Sequence, residues 1–453
     1  MMPGTFHIKK GRDIPLKGAA EKKIIDLPLP RTVAVQPPDF KGIRPRLCVR
    51  EGDIVEAGTI VFRDKDNPVL QVAAPVAGTV QAIQRGPKRV LEAVIINVAQ
   101  KQHARKGKKA SKTALDRLTS DEVIHLLLKT GLWPLIRQRP FSCVPPPNKK
   151  PKNIFIKAMN TEPLAPDMDL ILDEKQSEFY AGLKVLAKLC DNTLHVCLST
   201  ASQSKALLEA EDVVLSKFSG PHPAGNVSTH IHHLAPLGKG ETAWYVDAQD
   251  VARIGSFFLT GQFPHEKVIA VTGEQASKCY YARTTVGAPM KALLEQEDAL
   301  DVRYLSGNVL TGQDVGYEGY VHFYDTQVTV LPLGGERELL GWLRWGKNKF
   351  TFSKTFASAF DAPKKVSLDT ALQGGLRAIV QNNVYDHLVP LDIMVYFLIR
   401  AILVRDWEEA EALGLLECDP EDFALCSFAC PSKTDVVGII RQGLEDLSRE
   451  HAA

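Results

Sequence analysis

The sequence has no apolar run long enough to cross a bilayer. Its most apolar window, Leu391 to Val404, is about 14 residues long and contains Asp392 and Arg400. A spanning helix needs roughly 20 apolar residues, so the window predicts a buried core helix. Cysteine is sparse and scattered. Cys48, Cys143, Cys190, Cys197, Cys279, Cys418, Cys426 and Cys430 form no tight framework, which predicts reduced thiols in a cytosolic compartment and excludes a disulfide scaffold. The opening stretch M-M-P-G-T-F-H-I-K-K lacks the apolar core of a signal peptide. An excess of positive charge is missing too. Lys and Arg number 55 against 53 Asp and Glu, which argues against a nucleic-acid partner, since that needs a concentrated basic face. Finally, no predicted strand is followed by G-x-G-x-x-G, so the backbone amides that hold a pyrophosphate are lacking.

What is there suffices for several cores. The 453 residues are 45% hydrophobic and 24% charged, a length that predicts about three domains. Between 43 and 99, short β-rich pieces alternate with Gly-marked turns. Two half-motifs, V-x-E-G-D-x-V-x-A-G-T and A-P-V-A-G-T-V, resemble the barrel-sandwich hybrid of biotinyl and lipoyl carrier domains. Lys65 falls where a carrier would present its modified lysine. The flanking carrier context is absent, so the reading is a reused fold with a plain hairpin tip.

Residues 101–112, K-Q-H-A-R-K-G-K-K-A-S-K, carry cations and no acid. They read as a solvated loop, with anionic headgroups as the sharper alternative. Thr119-x-x-Glu122 is a capping box. It opens a helix with an apolar face at 123, 124, 127 and 128 that ends at Gly131. The proline cluster in Arg139 to Lys152 marks a boundary. Alternating strands and helices follow over 153–262, predicting a Rossmann-like α/β sheet. Residues 263–333 read as a small β-grasp unit, and 366–453 as helices.

The expected class is therefore α/β multidomain. An N-terminal β domain resembling the biotinyl and lipoyl hybrid covers 1–113, and a helix with a Pro-rich linker 114–152. A Rossmann-like α/β domain without the Gly-rich loop covers 153–262. A β-grasp domain of soluble-ligand-binding type covers 263–335, and a helical C-terminal domain 336–453.

The stretch Gly220 to Pro236 holds His222, His230, His232 and His233. His230 and His232 would share a side in a strand, but no Asp, Glu or Cys lies between 220 and 236 to complete a metal site. No nucleophile pattern adjoins them. The preferred reading is a rigid Gly/Pro loop after the Val213–Phe218 strand. Its imidazoles would hydrogen-bond a neighbouring chain or a small polar ligand. Cys418, Cys426 and Cys430, spaced x7 and x3, supply too few thiols at too loose a spacing for a [4Fe–4S] cluster.

An ordered set of stretches spans nearly the whole chain. It runs E-G-D-I-V-E-A-G-T (51–59), A-P-V-A-G-T-V (74–80), R-G-P-K-R-V-L (85–91), L-L-K-T-G-L-W-P (127–134) and R-P-F-S-C-V-P (139–145). It continues with G-P-H-P-A-G (220–225), T-H-I-H (229–232), Y-Y-A-R-T-T-V-G-A (280–288), S-G-N-V-L-T-G (306–312), L-V-P-L-D-I-M (388–394) and E-D-F-A-L-C-S-F-A-C-P (421–431). In this the sequence resembles the A-type subunits of bacterial Na+-translocating NADH:quinone reductases (the NQR complex).

The resemblance implies a peripheral subunit on the cytoplasmic side of the bacterial inner membrane. Five other subunits would be its partners, integral membrane proteins among them. Such a complex passes electrons from NADH through flavins and an iron–sulfur centre to ubiquinone and exports Na+. The chain itself would bind no cofactor or metal and carry no catalytic residue. It would belong to a translocase without catalysing independently. A quinone-access role is also implied, with His222, His230 and His232 as the candidate quinone- or partner-binding residues. The rivals are an independent flavin- or metal-dependent redox enzyme and a swinging-arm carrier using Lys65.

Overall fold

The computed structural model describes residues 4–103, 112–295, 298–334, 340–347, 349–352, 355–360, 365–380 and 383–452. Most of the lysine-rich run 101–112 lies outside the described residues.

Short antiparallel strands build the first domain in two small sheets. One orders Thr32–Val35, Leu91–Val98, Gly78–Arg85 and Ile54–Val55; the other orders Pro45–Leu47, Ile60–Asp64 and Gln71–Ala73. Lys65 stands on the hairpin between the last two strands. Its tip is tied down by Asp64, which accepts from the Arg44 and Asn67 amides at 2.8 Å each. The helix Ser120–Thr130 begins at the expected capping box. The Thr119 amide donates to Glu122 at 2.8 Å, and Gly131 ends the helix.

A six-stranded sheet organises the centre. Its order is Thr5–His7, Val214–Ser219, Thr193–Ser199, Asn153–Ala158, Ala243–Asp247, Arg137–Arg139. All neighbours are parallel except the last pair. Because side chains alternate across a strand, the sheet has two distinct faces. Ile154, Ile156, Val196, Leu198, Trp244 and Val246 pack in one core with Phe179 and Leu186 of the helix Gln176–Ala187 and with Val251 and Ile254 of the helix Ala248–Thr260. On the other face Phe155, Cys197, Phe218 and Tyr245 pack with Val227 and Ile231 of the helix Val227–Leu234.

A second six-stranded sheet, of mixed direction, orders Gln313–Asp314, Val302–Ser306, Gln327–Pro332, Glu266–Thr272, Tyr280–Thr285, Ile24–Asp26. Glu266–Thr272 runs parallel to Gln327–Pro332 and antiparallel to Tyr280–Thr285. The remaining core gathers Leu398, Ile399 and Ile402 of the helix Val395–Val404, Phe423, Cys426, and Ile440 and Leu444 of the helix Val436–Ala452.

Four expectations change. Residues 5–7 and 24–26, assigned to the N-terminal β domain, pair with the central and second sheets. Arg137–Arg139, assigned to the linker, is an edge strand of the central sheet. The histidine stretch is a loop only as far as Asn226 and a helix from Val227. In the C-terminal part, the first α-helix among the described residues begins at Val395, not near 366, and it is not buried all round: Met394, Phe397, Leu403 and Val404 are exposed. Only local pattern is readable before folding, and the first two of these pairings are set by partners far along the chain.

Candidate functional site

In open parallel sheets, ligands lie outside the carboxyl ends of the strands. Here the carboxyl end of Asn153–Ala158 leads into Met159-Asn160-Thr161-Glu162, and that of Val214–Ser219 into Gly220 to Asn226. The second loop is buried from His222 to Asn226. The Arg12 amide donates to the His222 carbonyl at 2.8 Å, and the His222 amide to Asp13 at 2.9 Å. The Gly225 amide donates to Thr161 Oγ1 at 2.9 Å. Asn226 Nδ2 donates to Asp422 at 2.8 Å.

Two glycines make the close approach possible. Gly11 and Gly220 have φ of +123° and +124°. A Cβ at either would lie 2.1 Å from a backbone oxygen, that of His222 or of Ile8 respectively.

The histidines follow from this packing. His222 is buried, with Nδ1 3.3 Å from Thr161 Oγ1. Burial pulls its pKa down to about 4, opposed in part by the Glu162 carboxylate. His230 is fully enclosed, tilted against Phe218 with centroids 4.5 Å apart, and its Nε2 lies 3.1 Å from the Ala224 carbonyl. Burial pulls its pKa to about 3, aided by Lys157. Both rings are therefore neutral at pH 7. His232 keeps partial exposure, with Nδ1 3.4 Å from Glu417. His233 Nδ1 lies 2.9 Å from the Thr229 carbonyl one turn back. The structure thus brings His222 and His230 into one buried junction and leaves His232 at its rim. Each of the first two has one ring nitrogen within reach of a protein group, while His230 Nδ1 is buried with no hydrogen-bond partner.

Sequence reading missed the charged groups beside them. Lys157 Nζ lies 3.8 Å from Glu162, both largely buried. Arg139, with only 4% of its side chain exposed, lies 2.7 Å from Asp419 and 2.8 Å from Glu421. Ser142 donates to Asp419, and the Tyr245 hydroxyl donates to Ser142 at 3.1 Å. Arg137 stacks over Tyr245 and Tyr324, its Cζ 4.5 and 4.4 Å from the ring centres. Burial disfavours the Asp419 anion, but Arg139, Lys41, the Ser142 hydrogen bond and Arg137 together outweigh it and hold the carboxyl below its ordinary range. Asp422 moves the other way. Burial and the neighbouring Glu421 push it up to about 6. The signal for this cluster was present as R-P-F-S and C-D-P-E-D, but nothing local in either says that they meet.

The loop after Asn153–Ala158 does not fit a pyrophosphate. A buried carboxylate, Glu162, lies in it, and Thr161 fills the space against Gly225. Nor do the three C-terminal thiols fit a cluster. Cys418 donates to the Gly414 carbonyl at 3.2 Å, while Cys430 Sγ lies 2.9 Å from the Tyr385 hydroxyl. Burial opposes ionisation of Cys430, but hydrogen bonds from Tyr385 and the Thr434 amide hold its pKa below the ordinary value. Cys426 is pushed up by burial. Among the described residues, no group of three or more His, Cys, Asp or Glu is placed to hold a metal ion.

This is a multidomain α/β chain in which the loop and helix after the Val214–Ser219 strand of the central sheet meet a C-terminal turn through Asn226–Asp422 and His232–Glu417. Three family models match parts of it. Residues 6–99 match the NqrA N-terminal barrel-sandwich hybrid domain, 118–263 the NqrA second alpha/beta domain, and 268–316 the NQRA C-terminal domain. Over 98% of its length the chain is 39% identical to the A-type subunit of the Na(+)-translocating NADH-quinone reductase of Histophilus somni (strain 129Pt), covering 99% of that protein. It is equally 39% identical to the corresponding protein from Neisseria meningitidis (strain DSM 15465 / Z2491), over 98% of this chain and 100% of that one. The chain belongs to the NqrA family, the A-type subunits of Na+-translocating NADH-quinone reductases. Among solved structures, the NAD+-reducing [NiFe]-hydrogenase in its air-oxidized state matches at TM-score 0.33 and 12% identity, over 67% of this chain and 55% of that one. That likeness is too distant to carry an argument.

Proposed function

We propose that the chain is a cofactor-free, peripheral subunit of a Na+-translocating NADH:ubiquinone reductase at the cytoplasmic side of the inner membrane. It supports electron transfer from NADH to ubiquinone coupled to Na+ export. NADH oxidation, flavin and iron–sulfur chemistry and Na+ movement fall to five partner subunits, integral membrane proteins among them. The observation that carries this reading is the near-complete alignment with relatives named as components of that reductase. Among the described residues no helix is long and apolar enough to cross a membrane, in keeping with a peripheral place.

The strand order of the central sheet supports a Rossmann-like origin. Its four inner parallel strands, taken in chain order, lie 3-2-1-4. The parallel pairing of Glu266–Thr272 with Gln327–Pro332 beside an antiparallel hairpin supports a β-grasp unit. In place of a nucleotide, the sheet end receives residues 8–13 and 417–422, so the histidine stretch serves to join domains. A quinone contact on this face would have to use His232, the one of the three candidates with solvent access.

Affinity purification of the tagged chain from detergent-solubilised membranes tests the reading. The expected result is a complex with Na+-dependent NADH:quinone reductase activity and a tagged chain that is colourless once separated. A chain that elutes alone with stoichiometric flavin or iron would establish the independent redox enzyme instead.

A further inference from the structure

The helix Val395–Val404 reads V-Y-F-L-I-R-A-I-L-V, apolar on every side except at Arg400. A helix of that kind is normally enclosed all round. Folding of this chain encloses one side only. Val395, Leu398, Ile399, Ala401 and Ile402 are buried, in the same core as Ile440 and Leu444 of the helix Val436–Ala452. The other side is open. Phe397, Arg400 and Val404 are spaced i, i+3 and i+7, with Tyr396 and Leu403 alongside, so they form one stripe. Phe397 is 44%, Leu403 55% and Val404 74% exposed, and Arg400 is exposed in their midst.

Arg400 says what the cover must contain. Its Cζ lies 5.8 Å from the Tyr396 ring centre, and among the described residues it makes no ion pair. The acids at the two ends of the helix do not serve it. Asp406 accepts from the Glu409 amide at 3.1 Å and so caps the next helix. Asp392 precedes the helix and makes no ion pair among the described residues. Covering the apolar stripe would take Arg400 out of water, and a buried cation left unpaired is strongly unfavourable. The cover must therefore bring its own carboxylate. A bilayer is the poorer match, because Asp406, Glu408 and Glu409 are exposed just past the helix end, where they would repel anionic headgroups. A second copy seated about a twofold axis on this stripe would set Arg400 against Arg400.

We propose that the stripe seats another subunit of the reductase, which lays an apolar surface on Phe397, Leu403 and Val404 and sets one carboxylate against Arg400. This rests on the subunit reading above and adds to it the surface, and the charge that the partner must supply.

The test uses the tagged complex purified from membranes. Val404→p-benzoylphenylalanine, photo-activated in that complex, should cross-link to a second reductase subunit at a segment that includes Asp or Glu. Arg400→Glu, and separately Phe397→Ser with Val404→Ser, should each retain about tenfold less of that subunit or worse. Arg400→Lys keeps the charge and should retain most of it. These side chains are exposed, so thermal melts of the chain should be unchanged. Variants that hold every partner as the parent does overturn the proposal. So does a cross-link to a second copy of this chain, to lipid alone, or to nothing. In each of those cases the partners are still present, and the reductase reading stands. A parent chain that purifies with no partner at all overturns both.

Discussion

The two faces of the central sheet solve the same burial problem with different materials. On one face Ile154, Ile156, Val196, Leu198, Trp244 and Val246 meet two long helices, and the core there is aliphatic and aromatic. On the other, Phe155, Cys197, Phe218 and Tyr245 share the space with His230, and Tyr245 is contacted by Arg137, Arg139 and Ser142. The first face joins a sheet to helices next to it in the chain. The second meets segments from both ends of the chain, residues 5–13 and 417–422. Apolar packing is non-directional, whereas buried ions and hydrogen bonds tolerate few alternatives. The difference suggests that polar groups are placed where distant segments must find one arrangement.

Removing one ion tests that contrast most severely. Arg139→Met leaves Asp419 and Glu421 with no cation at 2.7 and 2.8 Å, and should cost about 3–5 kcal/mol in denaturant unfolding. A cost below about 1 kcal/mol would mean that the cluster adds little to the joint.

The pH dependence comes next. His222 is held neutral, with its pKa drawn from 6.5 to about 4, facing Glu162, Lys157 and Asp13. The native state therefore refuses a proton that the unfolded chain accepts. The stability from this residue is complete above pH 6.5 and is lost as pH falls from 6.5 towards 4. His222→Gln lacks that term. The stability difference between parent and variant should shrink by roughly 3 kcal/mol between pH 7 and pH 4. Parallel curves would show that His222 titrates alike in both states.

The smallest effect belongs to the dry face. Ile156→Val removes one buried methylene and should cost about 1 kcal/mol, without pH dependence. If it rivals Arg139→Met, the two faces do not differ as described.

The dry face was readable in the sequence. Asn153–Ala158, Thr193–Ser199 and the apolar helical stripe at 179, 183 and 186 carry their own periodicity, and the Thr119 to Glu122 capping box predicted its helix closely. The polar face was not. Val227, Ile231 and Leu234 are spaced i, i+4, i+7 behind Asn226, a helix signal that the neighbouring Gly and Pro residues masked. Even so, Asn226 gives its side chain to Asp422 and not to its own helix. The roles of Arg139 and Asp422 depend on residues some 200–300 positions away, as with Arg139 and Glu421, 282 apart. Local pattern contains no trace of such a pairing.

The opening thirty residues fasten two sheets at once, Thr5–His7 on one and Ile24–Asp26 on the other. His7 meets Ser219, 212 positions later. At translation speeds of about 5–20 residues per second, that strand waits roughly 10–40 s at the ribosome before its partner exists. A bulky fusion at the front of the chain would therefore burden the pairing of one edge strand in each sheet, while the same cargo at the far end would leave this stitching alone.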